Sequence, residues 1–148
     1  LSPQFLGPTY EQVEPGYAFS DSLTVTETHI VLAAGLFGDF APLHVDEEFA
    51  KATPFGTRIA HGTLTTGIMA GVLSGHFKGT AIGYLEQNVS FRAPVFPGDT
   101  VVSEWTVQDV VAKPKLGGGI VSFAIACTNQ DGTVILDGSA KAIIRGAD

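Results

Sequence analysis

The chain has 148 residues, 45% of them hydrophobic and 16% charged, with a net charge of −7. That is the length of one domain with a real core, and the acidity excludes a general nucleic-acid binder, which needs a basic footprint. No run approaches the roughly 20 apolar residues of a membrane span, so no membrane partner is expected. The charged fraction falls below the common ~25%, which points to surface hidden in a subunit interface. The single cysteine, Cys127, lies in an apolar run and cannot form an internal disulfide. It is expected to be a buried structural thiol, and with no secretory signal at the start a cytoplasmic location fits.

Residues 1–16 hold three prolines and two glycines and are expected to form an extended N-terminal segment. Residues 17–148 are expected to form one domain. Ala18 to Val25 has the pattern of a short strand. Thr26 or Thr28 can cap a helix carrying Ile30, Ala33, Ala34 and Phe37 at helical spacing, with Gly38 as its stop. Asp39 to His44 is expected to be a loop, since Pro42 forbids a simple continuation. Asp46 to Lys51 is a short helix with an acidic first turn. The main helix runs from about Thr63 to Phe77, with Leu64, Ile68, Val72 and Phe77 as its apolar side. Gly67, Gly71 and Gly75 lie four apart and suggest another backbone packed very close.

Four strands follow: Ala81 to Phe91, Thr100 to Ala112, Ile120 to Thr128 and Thr133 to Ile144. Ser103 interrupts the alternation of the second. Asn129-Gln130-Asp131-Gly132 marks a hairpin between the last two. A strand, a group of helices and a run of strands argue for an α+β fold with the long helix laid across an antiparallel sheet.

The chemistry concentrates in Gly38-Asp39-Phe40-Ala41-Pro42-Leu43-His44-Val45-Asp46. A carboxylate and an imidazole five positions apart can be aimed at one small volume, where they could hold a water molecule and move its protons. Alternatively, Asp39 caps the next turn and His44 merely packs. The stretch resembles the signature of the MaoC-like hydratases, which include the (R)-specific enoyl-CoA hydratases: Gly/Glu-Asp-x-Asn-Pro-(Leu/Ile/Val)-His-x-Asp. Two further stretches carry the resemblance, Arg58-Ile59-Ala60-His61-Gly62-Thr63-Leu64 and Phe91-Arg92-Ala93-Pro94-Val95-Phe96-Pro97-Gly98-Asp99. Together they extend it from about Thr26 to the C-terminus.

The resemblance implies a hot-dog fold, a curved antiparallel sheet wrapped around a long helix, assembled as a homodimer or dimer of dimers. It implies that Asp39 and His44 are the catalytic pair and that the Gly62 N–H binds the thioester carbonyl. The last role suits a helix start, where amide donors are free and the dipole is positive. The expected reaction is addition of water to a trans-2-enoyl thioester, carried by CoA or acyl carrier protein, and its reverse. No cofactor or metal is expected, since His29, His61 and His76 show no ligand spacing. Pro42, His61, Thr63, Arg92 and Lys115 are the candidate substrate-binding residues, with a structural role the alternative for His61. Ala41 departs from the family's asparagine, and Gly67 stands where some hydratases carry serine. Two rival functions remain: a hot-dog thioesterase, and a non-catalytic acyl-thioester-binding subunit.

Overall fold

The computed structural model describes residues 6–147; the expectations for Leu1 to Phe5 and Asp148 lie outside it. Its core is a five-stranded antiparallel sheet: β1 (Ala18–Thr24), β2 (Ala81–Phe91), β3 (Thr100–Lys113), β4 (Gly118–Thr128) and β5 (Val134–Arg145). The spatial order is β1-β3-β4-β5-β2, so β2 and β1 are the edges. Helices α1 (Glu27–Phe37), α2 (Pro42–Val45), α3 (Glu47–Lys51) and α4 (Gly62–His76) fill the connection between β1 and β2. This is the α+β hot-dog arrangement.

Helix ends follow local chemistry. The Thr26 N–H donates to His29 Nδ1 at 2.9 Å at the start of α1, which gives His29 a capping role. Gly38 ends α1 with φ 68, and its left-handed backbone suits glycine. Residues 42–45 form a helical turn where a loop was expected. Pro42 stands in the first helical position, where its missing N–H costs nothing. Asp46 then caps α3, accepting from the Phe49 N–H at 3.0 Å.

Helix α4 turns a different face to the sheet than its sequence suggests. Thr65, Met69 and Leu73 are the buried residues, and Phe77 just beyond them is fully enclosed. Leu64, Ile68 and Val72 flank that face, half-buried. Burying a side chain such as Met69 is worth ~1.5–3 kcal/mol. Gly67, Gly71 and Gly75 lie on the far side, where an added Cβ meets nothing within 4 Å. The expected close backbone is therefore not supplied by this chain. Close approach occurs instead at Gly138, where a Cβ would stand 2.1 Å from the Asn88 carbonyl oxygen of β2.

The inner sheet face carries Val101, Trp105, Val107, Phe123 and Ile144, all closed to solvent. Ser103 belongs to the same face. It is fully buried, and its hydroxyl accepts from the Cys127 thiol at 3.2 Å, so it continues the alternation. The real irregularity in β3 is a bulge between Val107 and Asp109. Cys127 is buried as expected, and burial pushes its thiol pKa up. Among the described residues, no helix is long and apolar enough to cross a membrane.

Candidate active site

Three backbone bonds fix the 38–46 stretch and the chain that leads into α4. The Asp39 N–H donates to the Ala34 carbonyl at 3.1 Å, and the Ile59 N–H donates to the Leu43 carbonyl at 3.3 Å. The Ala60 N–H donates to the Val95 carbonyl at 2.8 Å. The turn after β2 therefore fixes the chain that leads into α4. Asp99 supports that turn by accepting from the Phe96 N–H at 2.8 Å.

Asp39 and His44 meet. Asp39 Oδ1 accepts from the Ala41 N–H at 3.2 Å, and Oδ2 stands 3.8 Å from His44 Nε2. His44 Nδ1 lies 2.7 Å from the Ile59 carbonyl, which can only accept, so Nδ1 carries the hydrogen. In the neutral ring, Nε2 then presents a lone pair toward the carboxylate. The imidazole is mostly enclosed at 12% side-chain exposure, whereas Asp39 is open at 46%.

His61 lies beneath the pair, 1% exposed. Its ring stacks on His44 with centroids 3.9 Å apart at 29°, and its Nε2–H donates to the Asp39 carbonyl at 3.0 Å. Asp39, His44 and His61 each offer one potential ligand atom within 4.8 Å of the others. They do not fit a metal. Stacked rings with centroids 3.9 Å apart keep their in-plane lone pairs in nearly parallel planes, whereas an ion at about 2.0–2.1 Å from both nitrogens would have to lie in both planes.

Gly62 opens α4, and its N–H has no acceptor among the described residues. The Phe91 ring lies over it, 3.1 Å from where a Cβ would stand. Beside them is a cavity of about 310 Å³ lined by Phe55, Ile59, Gly62, Thr65, Phe91 and Ile135, among others. Thr63 is exposed in the first turn of α4 and Pro42 is exposed at the start of α2. Arg92 lines the same cavity and pairs with Asp137 at 2.9 Å. Both partners are about half exposed, and such pairs are worth only ~0–1 kcal/mol.

Lys115 is not brought to this site. It lies in the turn between β3 and β4, and Gly118 at the end of that turn pairs with Arg145 at the far end of β5. Phe91 pairs with Leu136 at the opposite end, roughly 30 Å away at ~3.3 Å per residue. Arg58 is held by Glu47 at 2.8 Å and by Glu27. Those carboxylates raise its pKa further.

A conserved-domain profile described as "MaoC like domain" matches residues 9–123. The chain belongs to the MaoC-like family. Among curated relatives, this MaoC-like chain is 38% identical to an (R)-specific enoyl-CoA hydratase of Rhodospirillum rubrum, across 91% of the chain and 90% of the relative. It is 36% identical to a 3-hydroxybutyryl-CoA dehydratase of Methylorubrum extorquens, across 88% of the chain and 80% of the relative. Among solved structures, the (R)-hydratase of A. caviae involved in PHA biosynthesis superposes with a TM-score of 0.80 at 32% identity. That match covers 90% of this chain and 98% of the other.

Three site features were not singled out from the sequence: the Ile59 carbonyl, the Ala41 N–H and the Phe91 ring over Gly62. The first two are backbone groups that any non-proline residue supplies. Phe91 was visible only as part of a motif.

Proposed function

We propose that this MaoC-like protein is a hydratase/dehydratase that adds water across the double bond of a trans-2-enoyl thioester, giving a 3-hydroxyacyl thioester, and catalyses the reverse. The observation that carries this reading is the 3.8 Å gap between Asp39 Oδ2 and His44 Nε2. Both atoms are acceptors when His44 is neutral. One water molecule can donate to both at ordinary hydrogen-bond length.

In that geometry the water oxygen attacks C3 of the enoyl group while the pair takes one of its protons. The thioester oxygen gains charge as the enolate forms, and the unpartnered Gly62 N–H at the positive end of α4 stabilises it. The proton held by the pair then returns to C2, so atoms balance and both groups are regenerated. The apolar cavity beside Gly62 has room for an acyl chain. Arg92 at its rim suits a phosphate of CoA or of an acyl carrier protein's prosthetic arm.

The active form on this reading is a dimer. β2 is a sheet edge of eleven residues, and Ile82, Tyr84 and Leu85 on it are all more than 40% exposed. An apolar open edge of that length is a pairing surface. The small outer face of α4 at Gly67, Gly71 and Gly75 lets a second helix approach closely. The single cysteine, buried and unpaired, supports a cytoplasmic setting.

The test is the loss of ultraviolet absorbance of crotonyl-CoA with the purified protein, run beside Asp39→Asn. Hydration by the native protein and a fall of about 10²–10⁴ in the variant are expected. Equal rates would remove Asp39 from the mechanism. If a panel of longer and branched enoyl thioesters also stayed unchanged, Asp39-dependent release of thiol from saturated acyl-CoA would identify a thioesterase instead.

A further inference from the structure

We propose that His61 is a positioning residue for the Asp39–His44 pair, and this inference rests on the hydratase reading above. His61 is the residue just before α4, and it touches both members of the pair. Its Nε2–H holds the Asp39 backbone through the carbonyl at 3.0 Å. Its ring face lies against the His44 ring at 3.9 Å. The edge-on ring of Phe37, 6.3 Å away, supports it from the end of α1.

These contacts complete the restraint of residue 39. Its N–H is tied to Ala34 and one carboxylate oxygen to the Ala41 N–H. His61 ties the carbonyl. Only Oδ2 is left to face His44. His44 is restrained in a parallel way, with Nδ1 held by the Ile59 carbonyl and one ring face held by His61. A catalytic pair works only when both groups keep their relative geometry, and small displacements at such a site are costly.

A purely space-filling role does not account for an imidazole here. His61 Nδ1 is buried with no hydrogen-bond partner, and an unpaired buried acceptor is unfavourable. Phenylalanine would fill the space without that cost. The imidazole is explained by what phenylalanine lacks, the Nε2–H on the Asp39 carbonyl. Direct substrate contact does not explain it either, because the side chain is closed to solvent beneath the pair.

Two variants separate donor from ring. His61→Phe keeps a ring against His44 and loses the donor; His61→Gln keeps an N–H of similar reach and loses the ring. Their kcat, KM and melting temperature would be measured with crotonyl-CoA. The expected result for His61→Phe is a kcat lower by about 10- to 100-fold, with KM within about twofold because no substrate contact is lost. His61→Gln recovers a large part of that kcat. A folded His61→Phe with kcat within about threefold of native would show His61 to be filler. A raised KM at unchanged kcat would make it a substrate contact.

The native protein offers a check independent of folding defects and of turnover. Nitrogen-15 NMR of its histidines should find His61 as the Nε2-protonated tautomer with a slowly exchanging proton, and an Nδ1-protonated ring would overturn the proposal. Failure of the native protein to hydrate any enoyl thioester would refute the functional reading while leaving this tautomer result as it stands.

Discussion

On the proposed mechanism, replacing Gly62 with alanine should separate catalysis from stability. Gly62 is not among the glycines with positive φ, so alanine meets no backbone strain. It also gains up to ~1 kcal/mol of helix propensity, less in a first turn. Against that, the new Cβ stands 3.1 and 3.2 Å from Phe91 Cζ and Cε1. Phe91 is 56% exposed, and its ring can swing outward for under ~1 kcal/mol, below the usual cost of overpacking a closed core. The two effects nearly cancel, so stability should change by no more than ~1 kcal/mol, a shift of about 2–4 °C in Tm for a domain near this size. Activity should not be spared. Gly62 and Phe91 both line the cavity, so the methyl group enters its mouth beside the free N–H and holds the carbonyl oxygen away. Losing one such donor costs about 2.7–4 kcal/mol, or 10²–10³ in kcat. Hydration of crotonyl-CoA and thermal unfolding would be measured on the same preparation. A variant with native Tm and kcat within about threefold of native would refute the role of the Gly62 N–H.

Three further outcomes are expected. Ala41→Asn should leave kcat/KM within about threefold, because the group that holds Asp39 Oδ1 is the backbone N–H of residue 41; a tenfold gain would show that the family's amide acts directly. His76 stacks on Phe19 at 4.1 Å, bonds to Tyr17, and has its pKa lowered by burial. A lowered folded-state pKa favours protons on the unfolded chain, so its contribution is full above the unfolded value of about 6.5 and is lost as pH falls toward the folded value. Between pH 7.5 and 5.5 the Tm of His76→Phe should therefore fall less than that of the native protein, and equal slopes would contradict this. Leu85→Lys on the exposed β2 edge, and Gly71→Leu on the open face of α4, should each give a folded monomer in sedimentation, and a monomeric native protein would rule out the dimer proposed on these surfaces.

The amino-acid sequence by itself determined what depends on neighbours along the chain. Gly38 ends α1 because a left-handed residue is needed there. The 129–132 turn forms because Asn129 Oδ1 accepts from the Asp131 and Thr133 N–H groups. The short spacing of Asp39 and His44 was enough to suspect a pair, and three ordered motifs were enough to suspect the family.

Only the tertiary structure decided the rest. Helix α4 has apolar residues on two adjacent faces, so its sequence could not say that Thr65, Met69 and Leu73 meet the sheet and Leu64, Ile68 and Val72 flank them. Ser103 looked like a break because its partner, Cys127, is 24 residues away. The strand order β1-β3-β4-β5-β2 leaves β2 at an edge, and that order sends Lys115 far from Gly62. The ring of His61 reaches residues 17 and 22 positions earlier, where stacking and a carbonyl bond are made at once. Caps and turns are settled by bonds a few residues long, so they are written locally; the face a helix buries, the partner of a buried hydroxyl and the ring beneath the Asp39–His44 pair are settled by which distant surfaces close together when water is expelled.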